Sequence, residues 1–592
     1  MMNQAKGKEV KEFIKENVIT RLTEGEYVDP KQIMRMRFIL TWKKDSSVPE
    51  GKRGKARLVV LGFEDPFLGE EQVSSPTLNK RSKQILLQTV CQRGWELEKG
   101  DVTAAFLQGK KLDKCKYCLA PPELCEALNL TPGERVVRLL KSVYGLTTAP
   151  IEWFKAVNET LEKLGGHSCA CDPCVWTFSE WNNKTQKRDL IGIIGCHVDD
   201  FLIAGNTKNE RWNKIKETLL TSFRWTPFEK SKFKQCGVQI TQTEDGGFDQ
   251  EQHEYLTGLC EIPLTNERKK QKTSPVTEKE RTELRGLLGA LQWLVGQTRP
   301  DGNIDVNLLQ SQVTKATVDT LLEGNKILRK LRQNHEVTLR TRKIEGEIIF
   351  IAWSDASWAN RKDGNSTGGF VIGCCDKKVL EGHKTHTTII SWSTNRLKRV
   401  ARSSLSAEVQ ALSNAEDELH LVRACWAEFN ALEFDLNNAD EDIGKIAGAV
   451  IIDAKSIYDT LTSNNQPLQL AEKRTAIELL AYIRNTERNN TITRWVHGEA
   501  NLADSLTKQG ASQMLWEFLK DSRWSIVFDE KQMSGKKRRK AGMSKLENSD
   551  AEETKEPTFN QLVVNALKTV WPQYVEESET DEEYPEEILR KI

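Results

Sequence analysis

The chain has 592 residues, too many for a single hydrophobic core, so we expect roughly two to four domains. Its 86 lysines and arginines balance 85 aspartates and glutamates, which excludes a strong global field, so any nucleic-acid surface must come from local segregation of charge. The 13 scattered cysteines, the charged N-terminus and the absence of an apolar run of roughly 20 residues exclude a secreted disulfide scaffold and a membrane span. We therefore expect a soluble, intracellular protein without a membrane partner.

The pattern of apolar residues divides the chain into five segments. Residues 1–30 are a polar N-terminal segment, and over 31–262 β-branched runs alternate with helical patterns, which predicts an α+β fold. Residues 263–344 carry apolar stripes at helical spacing, which predicts a helical connection. Strands return over 345–515 and predict an α/β domain, while the charged tail over 516–592 has little to bury and is expected to be disordered.

An apolar, β-branched run ends in two adjacent acids, Asp199 and Asp200, in the stretch GCHVDDFLIAG. Neighbouring carboxylates at the end of a buried strand repel each other and resist desolvation, although a simple turn after the strand would also explain them. A third acid, Asp101 in GDVTAAFLQG, precedes a small, tightly packed segment. Held together, the three carboxylates would suit Mg²⁺, which prefers oxygen ligands and neutralises their repulsion.

Three ordered motifs resemble the reverse transcriptase of copia-type LTR retrotransposons: DVTAAFLQG, LLKSVYGLTTAPIEWF and HVDDFLIAG. KARLVVLGF, SSPTLNK, DPCVW, CGVQI and TRPD add to the similarity, which covers about 31 to 510. The resemblance implies a right-hand polymerase with fingers, palm and a helical thumb or connection, followed by an α/β ribonuclease H-like domain.

The resemblance also implies roles for individual residues of the polymerase part. Asp101, Asp199 and Asp200 would hold two Mg²⁺ ions in the palm. Phe106 would be a steric gate that excludes the 2′-OH of a ribonucleotide, where the simpler reading is core packing. Arg57 would grip the nucleotide triphosphate with its planar, charged fork, where the simpler reading is a surface arginine.

Two positions depart from the family pattern. Thr148 in LTTAP stands where the family has a glutamine that contacts the nucleotide, and threonine is shorter. His197 in HVDD stands where the family has tyrosine or phenylalanine, and the histidine ring would bring a titratable group close to the primer end. Both departures put the competence of the polymerase site in question.

A second set of acids stands among apolar or small neighbours in the α/β domain: Asp355, Glu408, Asp453 and Asp504. Each alone is readily explained as a helix cap or a solvated face. Their segments WSDASWA, SSLSAEVQALS and ADSLTK resemble the copia-type ribonuclease H domain, which implies two-metal hydrolysis of the RNA strand of an RNA–DNA hybrid recognised by its 2′-OH groups. His497 in WVHGEANLAD would assist proton transfer, where the simpler reading is a polar turn residue.

The function implied is RNA-directed DNA synthesis coupled to degradation of the RNA template. The cofactor would be Mg²⁺, with Mn²⁺ as a substitute and two ions in each active site, and the partners would be an RNA template, a DNA primer, an RNA–DNA hybrid and deoxynucleoside triphosphates. Two alternatives remain open: a weakened, truncated or host-retained element that only binds nucleic acid or protein, and a chain in which the ribonuclease H site alone is active.

Two further signals carry less weight. The stretch HSCACDPC offers a histidine and three cysteines, but their spacing does not form two ligand pairs, so a zinc site is disfavoured. The basic run GKKRRK is typical of a nuclear localisation signal or of a solvated linker. It leaves both the cytoplasm and the nucleus open as compartments.

Overall fold

The computed structural model describes residues 1–23, 25–45, 48–430, 434–462, 472–511 and 513–526. The chain forms two compact units. The first unit contains Met1–Cys236 and a short segment that begins at Glu428, and the second contains Gly237–Ala427 and the described residues from 434 onward. The predicted disordered tail covers 516–592, and its part from residue 527 onward, with the GKKRRK run, lies outside the described residues.

The first unit combines helices with two sheets. Its helices are α1 (Met2–Lys15), α2 (Lys80–Arg93), α3 (Pro122–Ala127), α4 (Ala149–Lys163) and α5 (Glu210–Ser222). Its strands are β1 (Ile19–Arg21), β2 (Ile33–Lys44), β3 (Lys52–Val60), β4 (Leu97–Asp101), β5 (Lys111–Leu119), β6 (Val136–Lys141), β7 (His167–Ser168), β8 (Val175–Asn182), β9 (Lys187–His197), β10 (Asp200–Gly205), β11 (Glu229–Lys230) and β12 (Lys232–Gln235). One sheet has the order β1-β6-β5-β2-β3 and the other has the order β11-β4-β10-β9-β8-β7.

Strand β9 explains the apolar run that precedes the two adjacent acids. It is buried without interruption from Leu190 to Cys196, because it lies between β8 and β10 in the middle of its sheet. A strand covered on both faces reads as continuously apolar rather than alternating. The strand leaves the core only at His197, so the residues that follow emerge at the edge of a rigid platform.

The N-terminal segment is not merely polar. Helix α1 places Val10 and Phe13 in one core cluster with Leu58 and Val60 of β3. The helix is amphipathic, and its many charged residues conceal this buried stripe in the sequence. Residues 1–30 therefore belong to the first unit rather than preceding it as a separate segment.

The second unit begins with a small antiparallel sheet and a helical bundle. Its elements up to residue 341 are β13 (Val238–Gln242), β14 (Phe248–Glu251), α6 (His253–Gly258), α7 (Asn266–Lys270), α8 (Glu278–Gln297), α9 (Asn303–Gln310), α10 (Val318–Gln333) and β15 (Leu339–Thr341). The leucine stripes of α8 and α10 meet in one cluster that includes Leu284, Leu291 and Leu328. The predicted helical connection is therefore present.

A mixed sheet organises the rest of the second unit. Its elements are β16 (Ile348–Ser357), β17 (Thr367–Asp376), β18 (Thr385–Arg396), α11 (Ser404–Phe429), α12 (Ala439–Gly444), β19 (Ala447–Ile452), α13 (Lys455–Thr462), α14 (Lys473–Arg488), β20 (Thr491–Trp495), α15 (Asp504–Thr507), α16 (Gln513–Asp521) and β21 (Arg523–Trp524). The strand order is β20-β19-β16-β17-β18-β21. Strands β16 to β18 are antiparallel, whereas β16, β19 and β20 are parallel and need helical crossovers between them.

These elements confirm the predicted fold class, an α+β polymerase-like part followed by an α/β ribonuclease H-like domain. Ordered structure continues beyond residue 515, where the sequence predicted the end of that domain. Helix α16 packs Leu515, Phe518 and Leu519 into the core beneath the sheet, and β21 pairs with β18. Among the described residues, no helix is both long and apolar enough to cross a lipid bilayer.

Candidate active sites

The three acids of the first cluster lie around the end of one hairpin. Asp101, the last residue of β4, pairs directly with Asp200, the first residue of β10. Residues opposite each other in antiparallel strands carry their side chains on the same face. Val198 and Asp199 form the two-residue turn between β9 and β10, and the Asp199 carbonyl accepts a hydrogen bond of 2.9 Å from the backbone N–H of Val102. The chain thus brings all three acids to one corner of the first unit.

The electrostatics of this corner favour a cation. Burial raises the pKa of Asp200 to about 7; Lys99 opposes this rise, and the charges of Asp101 and Asp199 reinforce it. The Lys99 ammonium stands 3.8 Å from Oδ1 of Asp200, and that oxygen is buried without a hydrogen-bond partner. Burial also raises the pKa of Asp101, and the charge of Asp199 adds to the rise. A buried oxygen without a donor, among carboxylates that repel one another, fits a divalent metal ion.

Arg57 lies against the ring of Tyr144, which in turn contacts the tilted ring of Phe106. Its guanidinium carbon is 4.9 Å from the centre of the Tyr144 ring, and that ring is 5.3 Å from the ring of Phe106. On its other side, Nη1 of Arg57 pairs with Glu9 of α1 at 3.1 Å. A planar guanidinium held between a ring and a carboxylate has one fixed orientation, which suits the recognition of a phosphate oxygen. Phe106 is half-buried beside Tyr144 rather than enclosed in the core.

Two lysines on the β2–β3 hairpin add positive charge near the acids. Burial lowers the pKa of Lys55 to about 8, and the charges of Arg57 and Lys43 lower it further. The charges of Lys43 and Lys55 offset part of the rise in the pKa of Asp101 that burial causes. The corner therefore combines the three carboxylates with a cationic wall formed by Arg57, Lys43 and Lys55. Such an arrangement suits a polyanion held against a metal site.

Two glycines fix this wall in place. Gly145 has φ 95°, and a Cβ on it would overlap the carbonyl oxygen of Val60. A Cβ on Gly62 would overlap the carbonyl oxygen of Gly145 in turn. This close approach lets the backbone N–H of Val60 donate to the carbonyl of Tyr144 at 2.8 Å. The two glycines therefore hold the Tyr144 ring beside Arg57.

The two positions that depart from the family pattern differ in their surroundings. His197 is half-buried at the end of β9, directly opposite Asp200 in the hairpin. Thr148 is the residue before α4 and is buried, and its hydroxyl oxygen has no hydrogen-bond partner. A buried hydroxyl cannot touch a nucleotide from solvent, so this geometry does not support the expected contact of Thr148.

The second cluster of acids is tighter. Asp355 lies in β16, Glu408 in α11 and Asp453 directly after β19, and one ligand oxygen from each lies within 4.8 Å of the others. Within the part of the chain that the structure describes, no other group of three acids has its ligand oxygens close enough to hold one metal ion. Burial raises the pKa of Asp355 to about 7 and the pKa of Glu408 well above its usual value, and burial also raises the pKa of Asp453. Such a site is costly without a bound cation.

Lys508 links Asp504 to this site, because it contacts both Asp504 and Asp355. The Lys508 ammonium pairs with the Asp504 carboxylate one helical turn away and lies 3.3 Å from Oδ1 of Asp355. Burial would lower the pKa of Lys508, but Asp355 and Asp504 raise it. Lys508 thus neutralises part of the acidic charge. His497 caps a turn, with its Nδ1 accepting the backbone N–H of Glu499 at 3.3 Å, and its part in proton transfer stays a prediction.

Several residues of the two sites escaped the sequence analysis. Lys508 follows Asp504 in the motif ADSLTK, so its spacing of one helical turn was a usable signal. Tyr144 lies in SVYGL, and only its position beside Arg57 shows its use. Glu9 comes from a segment far away in sequence, and nothing local links it to Arg57.

Comparison with known proteins identifies a reverse transcriptase family model and transposon relatives. Residues 27–277 match the family model described as reverse transcriptase (RNA-dependent DNA polymerase). The chain is 28% identical over 494 residues, 80% of its length, to the retrovirus-related Pol polyprotein from transposon RE1 of Arabidopsis thaliana, of which it covers 31%. Over 33% of its length it is 32% identical to the Pol polyprotein from transposon TNT 1-94 of Nicotiana tabacum, of which it covers 14%.

A solved structure gives a weaker likeness. The foamy viral protease-reverse transcriptase in complex with double-stranded DNA aligns with 83% of this chain and 69% of its own at 15% identity, with a TM-score of 0.45. The chain spans about a third of the length of the first Pol polyprotein it matches. The family match and the transposon relatives confirm the predicted resemblance: the chain is related to the reverse transcriptase portion of copia-type Pol polyproteins.

Proposed function

We propose that the chain is an RNA-directed DNA polymerase that also hydrolyses the RNA strand of RNA–DNA hybrids, and that it copies retrotransposon RNA into DNA. The observation that carries the polymerase assignment is the direct pairing of Asp101 with Asp200 at the strand ends, with Asp199 on the adjoining turn. The family match over residues 27–277 supports the same activity.

In the polymerase site, Asp101, Asp199 and Asp200 would hold two Mg²⁺ ions, or Mn²⁺ in their place. Bound there, the ions would neutralise the carboxylates and stabilise the attacking 3′-oxygen and the leaving pyrophosphate oxygen. Oxygen-only ligands at mutually repelling acids suit these hard cations.

The incoming deoxynucleoside triphosphate would bind between the acids and the cationic wall. Arg57, held flat between Tyr144 and Glu9, would donate paired hydrogen bonds to phosphate oxygens. The half-buried ring of Phe106 would lie under the sugar and exclude a 2′-OH by its bulk. The RNA template and the DNA primer would bring the 3′-hydroxyl to the same corner.

In the nuclease site, Asp355, Glu408, Asp453 and Asp504 would hold the metal pair, and water would be the nucleophile that attacks the RNA phosphodiester. The fit of a cation is supported by three carboxylates within 4.8 Å of one another. Preference for RNA would come from contacts to the 2′-OH groups in the minor groove of the hybrid.

The second candidate is a chain in which only the nuclease works. It is favoured by the difference between the two clusters, since the described residues bring three acids within reach of one ion only at Asp355, Glu408 and Asp453. The buried hydroxyl of Thr148 also favours this candidate, because it cannot contact a nucleotide. In this candidate the first unit would bind the template without extending a primer.

The test is Mg²⁺-dependent extension of a DNA primer on an RNA template by the purified chain, beside cleavage of a labelled RNA–DNA hybrid. We expect both activities in the wild type and loss of extension alone in Asp199→Asn. Cleavage without extension in the wild type would favour the nuclease-only candidate. The absence of both would contradict the proposal.

A further inference from the structure

The turn that carries Asp199 adopts an unfavourable backbone conformation. Val198, its first residue, has φ 63°, in the left-handed region where a β-branched residue is a rare outlier. Asp199 keeps a negative φ. A positive φ at the first turn residue alone defines a type II′ turn, in which glycine is the preferred first residue.

The sequence itself does not exclude the other common two-residue turn. A type I′ turn keeps the positive φ of the first residue and differs by rotation of the central peptide, which would move Asp199 into the left-handed region. Aspartate tolerates that region better than most residues. Rotation of the central peptide would therefore redirect the Asp199 side chain at modest cost, so the observed turn needs a restraint from outside the hairpin.

Trp153 of α4 supplies such a restraint. Its indole Nε1–H donates a hydrogen bond of 2.6 Å to the Val198 carbonyl, which is the carbonyl of the central peptide. Trp153 is only 2% exposed, and its ring packs edge-on against Phe223 with centroids 5.1 Å apart. The donor is therefore fixed in the core, while the acceptor belongs to the turn at the end of the hairpin. A thiol, Sγ of Cys196, contributes a weaker contact of 3.1 Å to the same carbonyl.

Packing around the turn is incomplete, although the Val198 side chain lies against the core cluster of Trp153. A cavity of about 360 Å³ borders the turn, and its lining includes Trp153, Cys196, Val198, Pro150 and Phe154. The turn is thus open on this side, where a close-packed core would otherwise resist a change of backbone. The carbonyl of Asp199, by contrast, is held by the N–H of Val102 at 2.9 Å. The two hydrogen bonds together fix both peptides that flank the Asp199 side chain.

We propose that Trp153 is a positioning residue of the polymerase site: its indole N–H selects the turn in which the Asp199 carboxylate faces Asp101 and Asp200. The inference rests on the proposed polymerase function. Trp153 touches neither substrate nor metal in this role. Its loss should weaken metal binding and slow the chemical step, whereas binding of the primed template should be unaffected.

The experiment compares Trp153→Phe with two further variants of the full-length chain. Trp153→Phe keeps an aromatic ring and removes the donor. Val198→Gly supplies the residue that a type II′ turn prefers and should restore the turn in the double variant. Trp176→Phe is the matched control, because Trp176 lies buried in the same core cluster and its indole N–H donates to Asn158 at 2.9 Å instead of to the turn.

The first readout is primer extension as a function of Mg²⁺. We expect Trp153→Phe to raise the half-saturating Mg²⁺ concentration and to lower kcat, each by about tenfold, the scale set by one lost hydrogen bond to a buried carbonyl. KM for the primed template should stay within about twofold of the wild-type value, because the substitution should not affect template binding. Val198→Gly should restore most of the loss, and Trp176→Phe should behave as the wild type. Equal losses in both tryptophan variants, or no rescue by Val198→Gly, would overturn the inference.

The second readout does not need activity. Mn²⁺ binding is titrated by the electron paramagnetic resonance signal of the free ion, with Asp355→Asn in every protein to weaken the nuclease site. We expect weaker Mn²⁺ binding in Trp153→Phe than in Trp176→Phe, and unchanged binding would overturn the inference. If the wild type extends no primer, the proposed polymerase function fails, and this titration still decides whether Trp153 positions Asp199.

Discussion

The close approach of Gly145 to Val60 predicts a large effect of Gly145→Ala. The new methyl carbon would overlap the carbonyl oxygen of Val60 and lie 3.0 Å from its carbonyl carbon, and alanine at φ 95° is strained by about 1–3 kcal/mol. Relief of the overlap would break the 2.8 Å hydrogen bond between Val60 and Tyr144, at a cost of about 1 kcal/mol. The sum predicts a loss of about 2–4 kcal/mol in the free energy of unfolding.

The same substitution should also affect the nucleotide. Displacement of Tyr144 would release the Arg57 guanidinium from its stack, so KM for deoxynucleotides should rise while hybrid cleavage stays unchanged. Urea unfolding and steady-state extension measure the two effects. The control is Gly133→Ala, since a Cβ added at Gly133 would meet no atom within 4 Å and the φ of this glycine is not positive. Equal free energies of unfolding for the Gly145→Ala and Gly133→Ala variants would show that the contact between Gly145 and Val60 does not require glycine.

Three other predictions follow from single contacts. Phe106→Ala removes the ring that we propose lies beneath the sugar, so the preference for deoxynucleotides over ribonucleotides should fall by about tenfold or more in single-nucleotide incorporation. Lys508→Met removes the cation that pairs with Asp504 and Asp355, so the melting temperature without metal should fall by a few degrees. Added Mg²⁺ should then restore more stability than in the wild type, because metal and ammonium neutralise the same carboxylates. Burial and nearby arginines lower the pKa of His386 from 6.5 to about 4, so its neutral form stabilises the fold fully above pH 6.5. That contribution, up to about 3 kcal/mol, should disappear as the pH falls from 6.5 towards 4, and His386→Leu should remove this part of the pH dependence in urea titrations.

Exposed residues of the same types provide the controls. Phe63→Ala, Lys520→Met and His383→Leu change exposed side chains, and each should leave the corresponding measurement at its wild-type value. If Phe106→Ala discriminates between the two sugars as the wild type does, Phe106 serves only in core packing. If Mg²⁺ raises the melting temperature equally with and without Lys508, that lysine does not neutralise the same carboxylates as the metal. A pH dependence that survives in His386→Leu would assign it to other groups.

The motifs alone were sufficient to predict which acids belong together. Asp101, Asp199 and Asp200 came from two short segments, and strand order brings them to one corner because β4 and β10 are neighbours. The register that places Asp101 opposite Asp200 is a property of the folded sheet, and so is the positive φ of Val198. Residue type gives no sign of this φ, since valine is among the residues least expected there.

The domain boundary shows a different limit of the sequence. The short helix α16, QMLWEFLKD, has five apolar residues in nine, but so short a run does not show whether it docks on a core or begins the charged tail. The N-terminal helix α1 is a similar case, since a polar segment with helical propensity does not reveal the core that it covers. In both cases the decisive information is the apolar surface that the helix covers, which lies far away in the sequence.

A crossed pair of substitutions tests whether this one chain carries two independent active sites. Asp199→Asn and Glu408→Gln are each measured for Mg²⁺-dependent primer extension on RNA and for hydrolysis of the RNA strand in a labelled hybrid. We expect Asp199→Asn to lose extension and keep hydrolysis, and Glu408→Gln to lose hydrolysis and keep extension. Retention of extension by Asp199→Asn, or of hydrolysis by Glu408→Gln, would contradict the account.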